Sequence, residues 1–297
     1  MNIGSSAASI FLATSNEEAI DILAEAGVDS ADFWLYLCSL NESAPMQQPD
    51  WEIWAEGIRR KMDSVHLPVA QSHALFNIFI PEDFSFVSPQ EIIFRNIRAC
   101  AILGCKELIF HPLELLQTVT DEEVHQRILE YNLRWFQQLL PLAEELAVEI
   151  HIENMFVFSN KQQVIPFAFT SSSDVCWLVD KLQHPLVKVC LDTGHASICG
   201  LDIPQTIREI GHRLGSLHLN DNFGKISPIR PDLHLLPGHG QIDWIQVMHA
   251  LREIGYKGVL NMEPVDSLPR LTHPLMVHQL ASAADFLRKT AQGCGMG

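Results

Sequence analysis

The fold this sequence predicts is a (β/α)8 barrel, and three observations lead there. Short apolar runs of β character alternate with longer amphipathic stretches along the chain. The 297 residues divide into eight units of ~37 residues, which suits a barrel class that starts at ~250 residues. No glycine-rich phosphate loop follows the first run, as an open doubly wound sheet would favour. No linker, charge block or low-complexity segment divides the chain, so residues 1–297 read as one domain.

The candidate strands, in order, are Ala8–Leu12, Ala31–Leu37, Val69–His73, Glu107–His111, Ala147–Glu153, Val187–Asp192, Ser216–Asn220 and Gly258–Glu263. Each is a brief apolar run, as strands buried on both faces should be. The helices between them carry start and stop signals. "SNEEAIDILAEAG" opens on a Ser/Asn cap with Glu17 and Glu18 in its first turn and closes at Gly27. "TDEEVHQRILEYNLRWFQQLLPLAEEL" is a long helix that Pro141 should divide or kink. "IDWIQVMHALREIGYKG" places Ile245, Met248 and Leu251 on one face, with Asp243 as cap and a stop at Gly255.

Composition narrows the function classes. Hydrophobic residues make up 47% of the chain, enough for a sizeable core, and no run reaches the ~18 uncharged apolar residues of a membrane span. The N-terminal stretch lacks the basic region of a signal peptide. Seven scattered cysteines form no CxxC pair, which disfavours a disulfide framework or cysteine zinc site and fits a reducing cytoplasm. With 36 acidic and 20 basic residues the net charge is -16, so a broad basic footprint for nucleic acid is missing.

In such barrels the chemistry sits where the strands end. The third run ends at His73, the fourth at His111 and the fifth at Glu153. The sixth ends at Asp192, with His195 three residues on; the seventh carries His218, and the eighth ends at Glu263. One such residue would be an ordinary hydrogen-bonded side chain, but six strands ending this way are hard to assign to independent accidents. Carboxylates crowded at one mouth repel each other, and a divalent cation relieves the repulsion. Imidazole and carboxylate donors without cysteine suit Zn, Mn, Co or Fe better than Ca or Mg. Around the mouth, Phe33, Trp34, Tyr36, Phe76, Phe79, Phe156, Phe158 and Phe223 are either sugar-binding walls or core. Lys225 and Arg230, after the seventh run, are candidates for a substrate phosphate or carboxylate, and "EDFSFVSPQ" and "FVFSNKQQVIPFAFTSSS" for specificity loops or a lid.

The segments "IHIENM", "CLDTGHASICGLDI", "SLHLNDNFGK", "PDLHLLPGHGQIDW" and "NMEP" resemble the xylose isomerase-like barrel superfamily. It includes sugar-phosphate isomerases and epimerases, ketose 3-epimerases, inosose dehydratases and apurinic-site nucleases of the endonuclease IV type. The resemblance implies one of two arrangements. In the isomerase form, one divalent metal is held at the positions of Glu153, Asp192, His218 and Glu263. The two glutamates then act as acid and base beside a carbonyl, and His195 and His111 contact substrate oxygens. In the nuclease form, three zinc ions take those ligands together with His73, His111, His195, Asp232 and His234.

Against the nuclease form stand the acidic charge, a loop after His73 with Glu82 and Asp83 but no cation, and His239 where that form has a glutamate. In the isomerase form Asp232 and His234 order the loop after strand seven instead. The expectation is thus a metal-dependent isomerase or epimerase of a sugar, sugar phosphate or cyclitol, with the apurinic-site nuclease as alternative. A non-catalytic metal-binding barrel ranks third, because both glutamates are intact. The expected partner is a small carbohydrate, without nucleic acid or membrane. Barrels of this kind commonly pair, which leaves a homodimer open.

Overall fold

The computed structural model describes residues 1–115, 121–158, 164–165, 168–224, 232–265 and 267–296. Its barrel strands are β1 (Ile3–Ser6), β2 (Ser30–Phe33), β3 (Val69–His73), β4 (Glu107–Phe110), β5 (Glu149–Glu153), β6 (Val187–Asp192), β7 (Leu214–His218) and β8 (Leu260–Met262). All pairings are parallel, each strand lying beside its sequence neighbour, and β8 pairs with β1. The ring closes just past β7, where a bridge joins Leu219 to Met262. There Leu219 N–H donates to the Asn261 carbonyl at 2.7 Å and Glu263 N–H to the Leu219 carbonyl at 3.0 Å. The expected (β/α)8 barrel is the observed one.

The first strand differs from the expectation. Ala8–Leu12 is not a strand; Ala8–Phe11 is a four-residue helix, and the strand is the preceding "IGSS". Those small residues make a poor β signal alone, but the barrel needs them. A Cβ on Gly4 would lie 2.7 Å from Asn261 Oδ1 and 2.9 Å from Val259 Cγ1, so only glycine lets β1 close against β8. The Ser6 hydroxyl then accepts the Ala8 N–H at 3.1 Å and turns the chain into the helix.

Other boundaries shift by a few residues. The fifth strand starts at Glu149 because Ala147 is the left-handed cap of the helix before it, at φ 52°. The second, fourth, seventh and eighth strands end short of their expected limits, which leaves Asn220 and Glu263 on the loops beyond.

The helices largely follow their signals. Ser15 caps Asn16–Glu25 by accepting from Glu18 N–H, and Gly27 follows at φ 68°. Pro141 does divide the long helix, into Glu122–Gln137 and Leu140–Leu146. Asp243 caps Trp244–Glu253, but Ile245 is exposed; Trp244, Val247, Met248 and Leu251 form the buried face instead. The apolar core lies between the ring of strands and these helices, with Trp135, Phe136, Ile20 and Leu251 among its buried members. No cysteine is in a disulfide, and no described helix is long and apolar enough to cross a membrane.

Candidate metal centre and its pocket

Residues from β3 to β8 converge at the C-terminal mouth as the strand-end pattern required. Glu153, Asp192, His218 and Glu263 each offer a donor atom, and those atoms all lie within 4.8 Å of one another. His218 Nδ1 sits between two glutamates, 3.2 Å from Glu153 Oε1 and 3.4 Å from Glu263 Oε1. His73 and His111 approach Glu153 Oε2 at 3.3 and 3.2 Å. A further group joins Asp192 to His195 and His234, and His234 reaches Glu263 Oε2 at 3.1 Å and Asp232 Oδ2 at 3.0 Å. All nine residues that the two arrangements invoked are therefore in one cluster. Lys225 and Arg230 lie outside the described residues.

Local sequence explains how each donor is held. Asp192 ends β6 and caps the helix Thr193–Cys199, its Oδ1 accepting from His195 N–H at 2.6 Å. Its Oδ2 accepts from Asn220 Nδ2 at 2.7 Å. That approach needs Gly194, where a Cβ would fall 1.8 Å from Asn220 Oδ1. Asn154 clamps the same strand end: its Oδ1 accepts Asp192 N–H at 2.7 Å, and its Nδ2 donates to the Asp192 carbonyl at 3.1 Å. His73 and His195 each turn Nδ1 to a backbone carbonyl, those of Ala74 and Asn154, both at 2.9 Å. This places the proton on Nδ1 and aims the Nε2 lone pair away from that carbonyl.

A divalent cation fits this donor set on three grounds. Every ion-pair partner of Glu153, Asp192 and Glu263 among the described residues is an imidazole, so among those residues no lysine or arginine neutralises the three buried carboxylates. Glu153 Oε2 and Glu263 Oε2 are buried without a hydrogen bond. His73 and His111 face each other through Nε2 at 3.2 Å, a contact that two lone pairs tolerate only around a proton or a metal.

Burial and neighbouring charges move the groups of the cluster in opposite directions. Burial pushes Glu153 up, but the imidazoles of His218 and His111 outweigh it and hold the carboxyl well below its usual range. Glu263 is likewise held down to about 2, against burial, by His218 and His234. His234 is held well above its usual value, against burial, by Asp232 and Glu263. Burial lifts Asp192 to about 7 and lowers His111 to about 4.

Above the cluster opens a cavity of about 670 Å³. Trp34, Tyr36, Phe76, Phe79 and Phe156 line it, while Phe33 is core. Tyr36, Phe76 and His111 stack in sequence, with centroids 3.6 and 4.3 Å apart. Phe223 is not among the lining residues, and the Phe158 side chain lies outside the described ones. "EDFSFVSPQ" supplies no lining residue to this cavity; Phe84 lies under Arg127, and Val87 N–H donates to the Tyr131 hydroxyl at 2.8 Å. Residues 159–163 and 166–167 of the second loop lie outside the described ones.

Three contributors escaped the sequence reading. Asp32, on β2, is fully buried 3.4 Å from His218 Nε2 and held by the amides of Gln71 and Asn261, both at 3.2 Å. Its signal was the one that marked Asp192, a carboxylate within an apolar run. Asn154 and Glu114 carried no comparable signal.

A family model described as xylose isomerase-like TIM barrel matches residues 20–290. The chain belongs to that family. Its similarity to D-psicose 3-epimerase of Ruminiclostridium cellulolyticum is 28% identity over 163 residues, covering 55% of this chain and 49% of that protein. To inosose isomerase of Bacillus subtilis it is 24% over 168 residues, covering 56% of each. The chain thus spans about half the length of these curated relatives. A crystal structure of D-psicose 3-epimerase in the presence of D-fructose superposes with a TM-score of 0.74 at 17% identity, covering 98% of this chain and 99% of that one. The IolI protein with a binding zinc atom gives 0.74 at 16%, with the same coverage. At these identities the superpositions establish the shared family fold.

Proposed function

We propose that this barrel, as one domain over residues 1–297, is a metal-dependent isomerase or epimerase of a sugar or cyclitol. It would move a proton at the carbon beside a carbonyl. The observation that carries the reading is the pair of glutamates flanking His218 Nδ1, at 3.2 and 3.4 Å, on the floor of the cavity. Glu153 and Glu263 both approach that nitrogen and both line the cavity, so a substrate carbon held over them could lose its proton to one carboxylate and regain it from the other. Asp192 and His218 complete the donor set, and His195 and His111 border the cavity within reach of substrate oxygens. A divalent ion held there, with Zn, Mn or Co as candidates, would polarise the carbonyl and its neighbouring hydroxyl and so lower the C–H pKa. The similarity to D-psicose 3-epimerase and inosose isomerase supports the same reading.

The test is solvent deuterium incorporation beside the carbonyl of a ketose by the metal-loaded protein. Incorporation should vanish in both Glu153→Gln and Glu263→Gln. Exchange that survives both substitutions would refute the assignment.

One observation favours a second reading. His73, His111, Asp232, His195 and His234 surround the same site with donors enough for more than one ion, the set used for phosphodiester hydrolysis at abasic DNA. The described cavity wall, however, carries no lysine or arginine, and the chain's charge is -16. Cleavage of an abasic-site oligonucleotide, lost in Glu153→Gln, together with three ions per chain, would select this reading over the first.

A further inference from the structure

Away from the metal-competent floor, most of the cavity wall is apolar, and two polar atoms on it stand out. The Glu114 side chain lines the cavity from a two-residue strand, Glu114–Leu115, that pairs with Phe79–Ile80. Its Oε1 is closed off from solvent and has no hydrogen-bond partner. Trp34 lines the same cavity, and its indole Nε1 is equally buried and equally without a partner. Native proteins rarely leave such atoms unmade, since each costs about 1–3 kcal/mol, and a ligand is a common reason for the exception.

The chemistry of the two atoms selects the ligand. A carboxylate accepts and an indole N–H donates, so hydroxyl groups satisfy both. Phosphate or carboxylate would satisfy the indole but would find no counter-charge, because no lysine or arginine is among the described lining residues. The flanking rings of Tyr36 and Phe76 offer an apolar face to the C–H side of a sugar ring or chain.

We propose that Glu114 and Trp34 form a hydroxyl subsite, and that the pocket takes an uncharged, hydroxyl-rich carbonyl compound in preference to its phosphate ester. Glu114 acts in binding and specificity, while proton transfer stays with the floor glutamates. This deepens the reading given under Proposed function and rests on it.

The test uses the metal-loaded wild type with Glu114→Leu and Trp34→Phe, titrated calorimetrically with D-psicose, D-fructose and D-fructose 6-phosphate. Turnover is scored separately by deuterium exchange. Wild type should bind a neutral ketose at least about tenfold more tightly than the phosphate ester. Glu114→Leu should lose about tenfold or more of that affinity, and Trp34→Phe about threefold, in keeping with single hydrogen bonds. Both should retain their metal, and Glu114→Leu should melt no lower than wild type, because it removes an unpartnered buried carboxyl.

Tighter binding of the phosphate ester would overturn the proposal, above all if Lys225→Ala/Arg230→Ala abolished that binding. So would a Glu114→Leu variant that binds neutral ketoses like wild type or melts several degrees lower, or a wild type that binds no neutral ketose. Binding without deuterium exchange would remove the epimerase reading and keep the subsite. Exchange with unchanged affinity in Glu114→Leu would do the reverse.

Discussion

Two buried histidines project into the same barrel at different depths, and each has a glutamate beside it. His151, on β5, is the lower one. Its Nδ1 meets Ser216 Oγ at 2.8 Å and its Nε2 meets Glu149 Oε2 at 3.0 Å, so both ring nitrogens have one partner each. His218, on β7, is the upper one. Its Nδ1 lies between Glu153 and Glu263, and its Nε2 faces Asp32 at 3.4 Å without a hydrogen bond. Both rings are wholly buried. The difference is that the lower site is finished by the protein alone, whereas the upper one has more acceptors than protons to share. A histidine–glutamate pair is therefore no metal site by composition; a surplus of buried, unfilled donor atoms is what suits a cluster to a metal.

The largest effect should separate the two glutamates. Glu153→Gln is expected to lower activity by about 10³-fold or more and to abolish tight metal binding, since it removes a ligand and a proton carrier together. Steady-state kinetics and metal analysis check it. Glu149→Gln should leave both near wild type. Next comes Asp32→Asn, which keeps the shape but removes the charge facing His218. It should weaken metal affinity by about 10–100-fold, the range for outer-shell partners of a ligating histidine, as read by competition with a chromophoric chelator. Gly194→Ala tests the clamp on Asp192: its Cβ would collide with Asn220, for a cost of about 1–3 kcal/mol in chemical denaturation.

The effect of pH should likewise fall on the upper site. His234 is held well above the usual imidazole value, against burial, by Asp232 and Glu263, and burial holds Asp192 up at about 7. Protons compete with a metal for these groups as pH falls below neutrality, so affinity should fall with it. A slope of about tenfold per pH unit for each proton released is expected in metal titrations between about pH 6 and 8. A flat profile would mean that the metal binds elsewhere. The smallest effect is again the control, with Glu149→Gln expected to cost about 1 kcal/mol or less of stability for its single, half-exposed hydrogen bond.

How far the sequence revealed this arrangement follows from the same contrast. Glu153, Asp192, His218 and Glu263 were legible because a charge at the end of an apolar run is costly and repeats on successive strands. The alternation of runs also gave the barrel and most of its strands. β1 was not legible, because "IGSS" is a strand only by virtue of Asn261, Val259 and Ser30 packed around Gly4. Asp32 was obscured by the register shift between Ala31 and Asp32, which local alternation cannot foresee. Glu114 was invisible for a different reason: its significance lies in the absence of a partner, and only a packed structure shows what a side chain fails to touch.

The central claim is that the upper cluster is a divalent-metal centre and the lower one is not. Metal content per chain, measured by mass spectrometry after equilibration with Zn or Mn and dialysis, tests it most directly. The expected result is one tightly held ion in wild type and in His151→Gln, and none in Glu153→Gln. A wild type that retains no ion, or a Glu153→Gln variant that retains it, would contradict the account.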